Sequence, residues 1–171
     1  MKSGKIELVI SNKEGAFALT RAERAGIKTS VVTKKEFGNE FENELIRILD
    51  SEKIDIIVLA GFMTILSEKF TRHFEKRIIN VHPSLIPSFC GEGFYGLRVH
   101  EAALAYGVKV TGATVHFVNE IPDGGEIIMQ KAVAIREGDT AETLQKRVMR
   151  LAEWKILPAA VKKVCSERNS N

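Results

Sequence analysis

Short apolar runs that alternate with helix-spaced segments constrain this chain more than any other feature. Residues 6–10 form a β-rich run closed by the polar turn Ser11-Asn12-Lys13-Glu14-Gly15, and residues 16–25 read as a helix that Gly26 terminates. Residues 29–33 give a second strand. Phe41, Leu45, Ile48 and Leu49 recur at helical spacing, and the apolar run 55–60 suits a strand covered on both faces. A short helix around Phe70 and Phe74 leads to a strand over 77–81 that ends at His82-Pro83. The alternation predicts an α/β fold, a mostly parallel sheet with helices on both faces. Residues 87–96 form a loop, 99–106 a helix, and 110–118 with 127–135 two strands able to pair as an antiparallel extension. A helix begins at Asp139, three residues before Glu142, with Leu144, Val148, Leu151 and Ile156 along one face, and a polar tail starts near Ser166.

At 171 residues, 44% hydrophobic and 27% charged, the chain can bury one core, so a single domain over 1–171 is expected. No run nears the roughly 20 apolar residues of a bilayer span, and the first residues lack a signal-peptide pattern, which predicts a cytoplasmic protein with no membrane partner. Cys90 and Cys165 stand far apart and suggest no disulfide. A net charge of +3, from 25 basic and 22 acidic residues interspersed, gives no reason to expect a nucleic-acid partner. His73, His100 and His116 show no metal-ligand spacing, so no metal is expected, and no Gly-rich strand-to-helix turn marks a nucleotide site.

Ligands of parallel α/β sheets bind beyond the carboxyl ends of the strands, where three motifs fall: residues 60–66, residues 80–87, and Pro122-Asp123-Gly124-Gly125. Asn80 and His82 alternate with Ile79 and Val81, so the period of two puts both polar groups on one side of the strand end. Neither is a strong nucleophile; together they can donate hydrogen bonds to an oxygen that gains negative charge. A turn-closing asparagine and a satisfied strand-end histidine account for the same residues. Asp123 is a stock turn residue by type, or else a carboxylate that holds the His82 imidazole protonated and oriented. His116, in the alternating segment 114–118, is read as a sheet residue facing the cleft side, and Cys90 as a weak nucleophile with no basic neighbour.

Taken in order, Ser11-Asn12-Lys13 with residues 22–27, Val58-Leu59-Ala60-Gly61-Phe62-Met63, residues 80–87, residues 112–118 and Asp123-Gly124-Gly125 resemble the formyltransferase family of folate enzymes. Asn-x-His-Pro-Ser-Leu-x-Pro is the specific element, and the resemblance covers about residues 5–164. It implies a Rossmann-like formyltransferase fold and transfer of a formyl group from 10-formyltetrahydrofolate to the amine of glycinamide ribonucleotide, without a metal. Asn80, His82 and Asp123 would be the catalytic residues. The folate would lie against Met63, Thr64, Ile65, Leu66, Asn80, Val118, Glu120 and Asp123; the amine substrate would lie near Gly61, Pro83 and Ser84, with Glu153 on its ribose. The expected partners are these two small molecules, and oligomeric state is left open. A formyltetrahydrofolate hydrolase, or a folate-binding module without turnover, are the alternative readings.

Three departures from the family pattern stand out. The family's first strand and its phosphate-binding turn have no counterpart, so the chain is expected to be an N-terminally truncated form. Thr64 replaces an arginine, and residues 37–45 lack another, which weakens the expected grip on the folate tail. The last helix also runs one residue out of step near Arg150.

Overall fold

The structure, a computed structural model, describes residues 4–168. Residues 1–3, and 169–171 of the expected polar tail, lie outside them. The contacts divide the chain into two units, residues 1–55 and 56–171.

In the first unit β1 (Leu8–Ser11) and β2 (Lys28–Val31) pair in parallel, Leu8 opposite Lys28, as a strand-helix-strand order requires. Between them lies α1 (Phe17–Arg24). It ends where the Ile27 N–H reaches back to the Ala22 carbonyl and Gly26 takes φ +68°, a left-handed closure that glycine allows without a Cβ clash. Thr33 caps α2 (Lys34–Phe37) by accepting the Glu36 N–H, and one 3₁₀ turn joins it to α3 (Phe41–Ser51). Phe41, Leu45 and Leu49, four residues apart, form the buried face of α3.

In the second unit four strands lie in the order β3-β4-β5-β6: β3 (Ile57–Leu59), β4 (Ile78–His82), β5 (Val110–Phe117) and β6 (Ile127–Ala134). The β3–β4 pair is parallel, with Leu59 opposite Asn80; β4–β5 and β5–β6 are both antiparallel. The expected antiparallel extension therefore begins one strand earlier, at β4. Consecutive Ile78 and Ile79 are both fully buried, so β4 is covered on both faces. β3 departs from the expectation of two covered faces, because Val58 is 39% exposed. α4 (Glu68–His73) precedes β4 with Ser67 as its cap, and α5 (Leu97–Tyr106) precedes β5 and closes on Gly107 in the left-handed region.

Thr140, not Asp139, caps α6 (Ala141–Val148): Thr140 and Thr143 exchange side chain-to-backbone hydrogen bonds. Asp139 instead forms a two-pronged ion pair with Arg147 in the last turn of the helix. After α6 comes a π turn over Met149–Glu153, then α7 (Trp154–Arg168). Leu144, Val148, Ala152, Ile156, Ala160 and Val164 are buried together against Ile79, Ala113, Val115 and Val133. A spacing of four drifts about 40° per step on a regular α-helix, and five steps would carry Val164 to the far side. The wide turn holds an extra residue and offsets about half of that drift. It also puts Ala152 in the core and leaves Leu151 half-buried at its edge. Among the described residues no helix is long and apolar enough to cross a membrane.

Candidate active site

The β4–β5 register places Asn80 opposite His116 and His82 opposite Thr114, so four polar side chains share one face of the sheet. The β5–β6 register shifts between Val115, opposite Met129, and His116, opposite Ile127, so the extra residue, Ile128, lies on β6. Beyond β5, Asn119 accepts the Ile121 N–H, and the Gly124 N–H returns to the Ile121 carbonyl. Pro122 and Asp123, with Asp123 at φ +56°, occupy the centre of this turn, a conformation that aspartate tolerates better than most residues. The turn folds back so that Asp123 reaches β4 and β5.

Asp123 Oδ2 lies 3.4 Å from His82 Nδ1, and Asp123 Oδ1 lies 3.5 Å from His116 Nε2. Asn80 Nδ2 is 3.3 Å from His116 Nε2. His82 Nε2 is 2.8 Å from the Phe89 carbonyl oxygen, which can only accept, so Nε2 bears a proton. Nδ1 faces the Asp123 carboxylate, so both His82 nitrogens sit against acceptors. The Gly91 N–H donates to Asp123 Oδ2 at 2.9 Å, so one loop holds both members of the pair. Burial pushes the Asp123 carboxyl upward; His116, the Gly91 N–H and the charges of His82 and His116 outweigh it, and its pKa lies below the ordinary carboxylate value.

The loop between β4 and α5 is fastened from below. Ser84, fully buried, donates its hydroxyl to the Ser88 carbonyl at 2.5 Å. Thr114 Oγ1 donates to the Ser84 carbonyl at 2.7 Å and accepts the Ile86 N–H at 3.1 Å, while Gln130 Nε2 reaches both Thr114 and the Ile86 carbonyl at 3.0 Å. The Ser84 hydroxyl is thus committed to holding the loop rather than a substrate. Burial, with the Asp123 charge, raises the Cys90 thiol, whose Sγ donates to the Pro87 carbonyl.

The structure therefore brings Asn80, His82 and Asp123 together, and adds His116, the sheet residue that the alternation places on the cleft side. Its signal was parity: Thr114 and His116 repeat on β5 the two-residue spacing of Asn80 and His82. The parallel β3–β4 register carries Gly61, at φ +70°, out at the same end of the sheet as His82. Of the segment after it, Met63 and Ile65 are exposed, Thr64 is half-buried and Leu66 is in the core. The Val118 N–H is tied to the Ile78 carbonyl, Glu120 is exposed, and Pro83 is half-buried. Glu153 lies in the π turn, half-buried, with no bond to Asn80, His82 or Asp123, and burial raises its carboxyl. Among the described residues no group of three or more His, Cys, Asp or Glu side chains could hold a metal ion.

His100 is fully buried on α5, and neither ring nitrogen has a hydrogen-bond partner among the described residues. Burial, and then the charge of His82, bring its pKa down to about 4. An unfolded histidine titrates near 6.5, so between those values the unfolded chain takes up a proton that the folded chain refuses. Stability is complete above about pH 6.5 and declines as pH falls toward 4. We expect the urea midpoint of wild type to fall relative to that of His100→Leu between about pH 7.5 and about pH 5; parallel pH dependences would show that His100 is not the group responsible.

A polar cluster of this kind, at the carboxyl end of strands in an α/β sheet, suits stabilisation of charge on a carbonyl oxygen. The family model described as Formyl transferase matches residues 1–161, and the chain belongs to that family. It is 49% identical over 166 residues to the human trifunctional purine biosynthetic protein adenosine-3, a match that takes in 96% of this chain and 16% of that protein. The chain thus spans about a sixth of that relative's length. Over 160 residues it is 42% identical to the phosphoribosylglycinamide formyltransferase of Haemophilus influenzae, covering 92% of this chain and 73% of the enzyme. Among solved structures, glycinamide ribonucleotide transformylase 1 from Symbiobacterium toebii superposes with a TM-score of 0.88 at 37% identity, over 96% of this chain and 76% of that one. The phosphoribosylglycinamide formyltransferase of Anaplasma phagocytophilum gives 0.85 at 41% identity, over 96% and 75%.

Proposed function

We propose that this chain transfers a formyl group from 10-formyltetrahydrofolate to the amine of glycinamide ribonucleotide, a step of purine synthesis. One observation carries the reading: the Asp123 carboxylate faces both His82 and His116, and Asn80 adjoins His116, all at 3.3–3.5 Å. Attack of the amine on the formyl carbon forms a tetrahedral species whose oxygen takes up negative charge. Hydrogen bonds from His82 and Asn80 stabilise that charge more than they stabilise the neutral carbonyl, and so accelerate the step. The 3.4 Å gap between His82 Nδ1 and Asp123 exceeds a tight charge-assisted bond, so that N–H can be shared with an incoming oxygen. Asp123 orients His82, and the proton lost by the amine passes through water to the departing folate nitrogen.

In this reading residues 1–171 act as one formyltransferase domain. The folate lies against residues 63–66, Asn80, Val118, Glu120 and Asp123. The amine substrate lies near Gly61, Pro83 and the backbone of Ser84, with Glu153 toward its ribose. The reading needs no nucleic-acid or membrane partner and places the protein in the cytoplasm.

The chain mixed with 10-formyltetrahydrofolate should release tetrahydrofolate only when glycinamide ribonucleotide is present. Asn80→Ala should lower kcat by about 10²–10³, the usual cost of one lost oxyanion donor. Equal release without the amine would indicate a hydrolase, and folate binding without release would indicate a binding module.

A further inference from the structure

We propose that the open edge of β6 docks an extended acidic segment of a partner protein, which joins the sheet as a further strand. β6 is the last strand in the order β3-β4-β5-β6, so among the described residues it is paired only on its β5 side. The Ile135 N–H donates to the Lys109 carbonyl at 2.9 Å, which continues the register of Val110 opposite Ala134 by one residue. In an antiparallel ladder every second residue is bonded in this way, so Val133 and Lys131 also bond toward β5. Ala132 and Ala134 therefore turn their N–H and carbonyl groups away from β5. The Arg147 guanidinium marks that direction, for it donates to the Ala134 carbonyl at 3.3 Å. A carbonyl has a second lone pair, so this bond leaves room for a strand's N–H.

Along this edge lies a cavity of about 270 Å³, lined by residues 131–134 and by side chains that include Arg136, Arg147 and Lys155. Its lining holds four basic side chains and no acidic one, in a chain whose 25 basic and 22 acidic residues nearly balance. Asp139 lies beside Arg147, but its oxygens are taken by Arg147, the Arg136 N–H and Thr143. Lys131, Arg136 and Lys155 are exposed, and their charge is available to a partner. Val133 packs in the core with α6 and α7, and strand parity puts Lys131 on that same side. Ala132 and Ala134 face the other way and are exposed. A strand laid along β6 thus meets cations on one face and small apolar side chains on the other, which selects a sequence that alternates Glu with Val. Charge complementarity decides the occupant. A second copy would bring two such basic edges together, and a nucleic-acid backbone lacks the regular donors that the edge carbonyls require. A lysine on an edge strand deters pairing with its own kind and attracts a strand of opposite charge.

The probe is a blocked, fluorescein-labelled peptide that alternates Val with Glu, titrated with the full chain and followed by anisotropy. Binding should saturate and weaken as salt is raised, and a peptide that alternates Val with Lys should bind at least about tenfold more weakly. Reversing two charges of the cavity together, Lys131→Glu with Lys155→Glu, should cost at least about tenfold in affinity. Two further measurements need no variant. In the complex, hydrogen exchange read by NMR should slow at the Ala132 and Ala134 amides and stay unchanged at Val133, a pattern that ionic attraction alone does not produce. A peptide N-methylated at its valines keeps its charge, loses half its main-chain donors, and should bind at least about tenfold more weakly. The proposal fails if the acidic peptide does not saturate, if the Ala132 and Ala134 amides stay unprotected, or if the charge-reversed variant binds it undiminished. Tighter binding of a single-stranded oligonucleotide of equal length would also overturn it. None of these readouts involves turnover, so they stand apart from whether glycinamide ribonucleotide is the formyl acceptor.

Discussion

Asp123→Asn should lower kcat for formyl transfer by about 10⁴, with the fold intact and KM changed far less. The magnitude follows from the loss seen when a carboxylate that orients a catalytic histidine is made an amide. Here the expected effect is at least as broad, since one carboxylate faces His82 through Oδ2 and His116 through Oδ1. Neutralising it removes the negative charge that both imidazoles face. The asparagine keeps the shape, tolerates the left-handed backbone at φ +56°, and can still accept the Gly91 N–H through its oxygen. Stability should therefore be nearly unchanged, which separates chemistry from folding. Single-turnover kinetics with saturating substrates reads the chemical step, and a loss smaller than about tenfold would remove Asp123 from the mechanism.

The second large effect concerns folding. Gly125→Ala should destabilise the protein by about 3 kcal/mol, at the upper end of overpacking costs. A Cβ at Gly125 would sit 1.8 Å from the Phe117 carbonyl oxygen and 2.7 Å from its carbon, both backbone atoms that cannot swing aside. The same segment carries the bond from the Phe117 N–H to the Glu126 carbonyl, so the hairpin must open to admit a methyl group. Gly124→Ala would crowd the same turn, its new Cβ meeting Ile121 Cγ2 at 2.6 Å and Ile121 Cβ, which no rotamer moves, at 2.7 Å. Urea midpoints of wild type and Gly125→Ala should differ by well over 1 kcal/mol once multiplied by the slope. An unchanged midpoint in Gly125→Ala would mean that the turn is not held as described.

The two glycines of the Pro-Asp-Gly-Gly turn illustrate what a sequence can disclose. Turn chemistry is local, so the bend was legible; the reason for Gly125, contact with a carbonyl eight residues earlier, was not. The same division holds at the site. Period two on β4 put Asn80 and His82 on one face, since strand geometry follows from the chain itself. The approach of Asp123 depends on the β4–β5 register and on the turn over residues 121–124, neither of which a local pattern around Asn80 encodes. The cleft-side orientation of His116 was legible from the alternation on β5, but its nearness to Asn80 and Asp123 was not, because it appears only once Asn80 stands opposite and the 121–124 turn folds back. Burial of β3 was misjudged because apolar content shows that a strand can be covered, not that it is. The cap of α6 was displaced by one residue because Asp139 and Thr140 are both cap formers, and the Arg147 ion pair claims the aspartate.

The widened turn at Met149–Glu153 means that positions on the two sides of it keep different registers with the sheet beneath. Counting along the helix from Leu144 and counting back from Val164 assign a residue such as Arg150 to faces about 100° apart, and each count is correct on its own side. Role assignments transferred between relatives across this stretch are safe only when anchored on Ala152 and Ile156, whose side chains touch the core, rather than on position number.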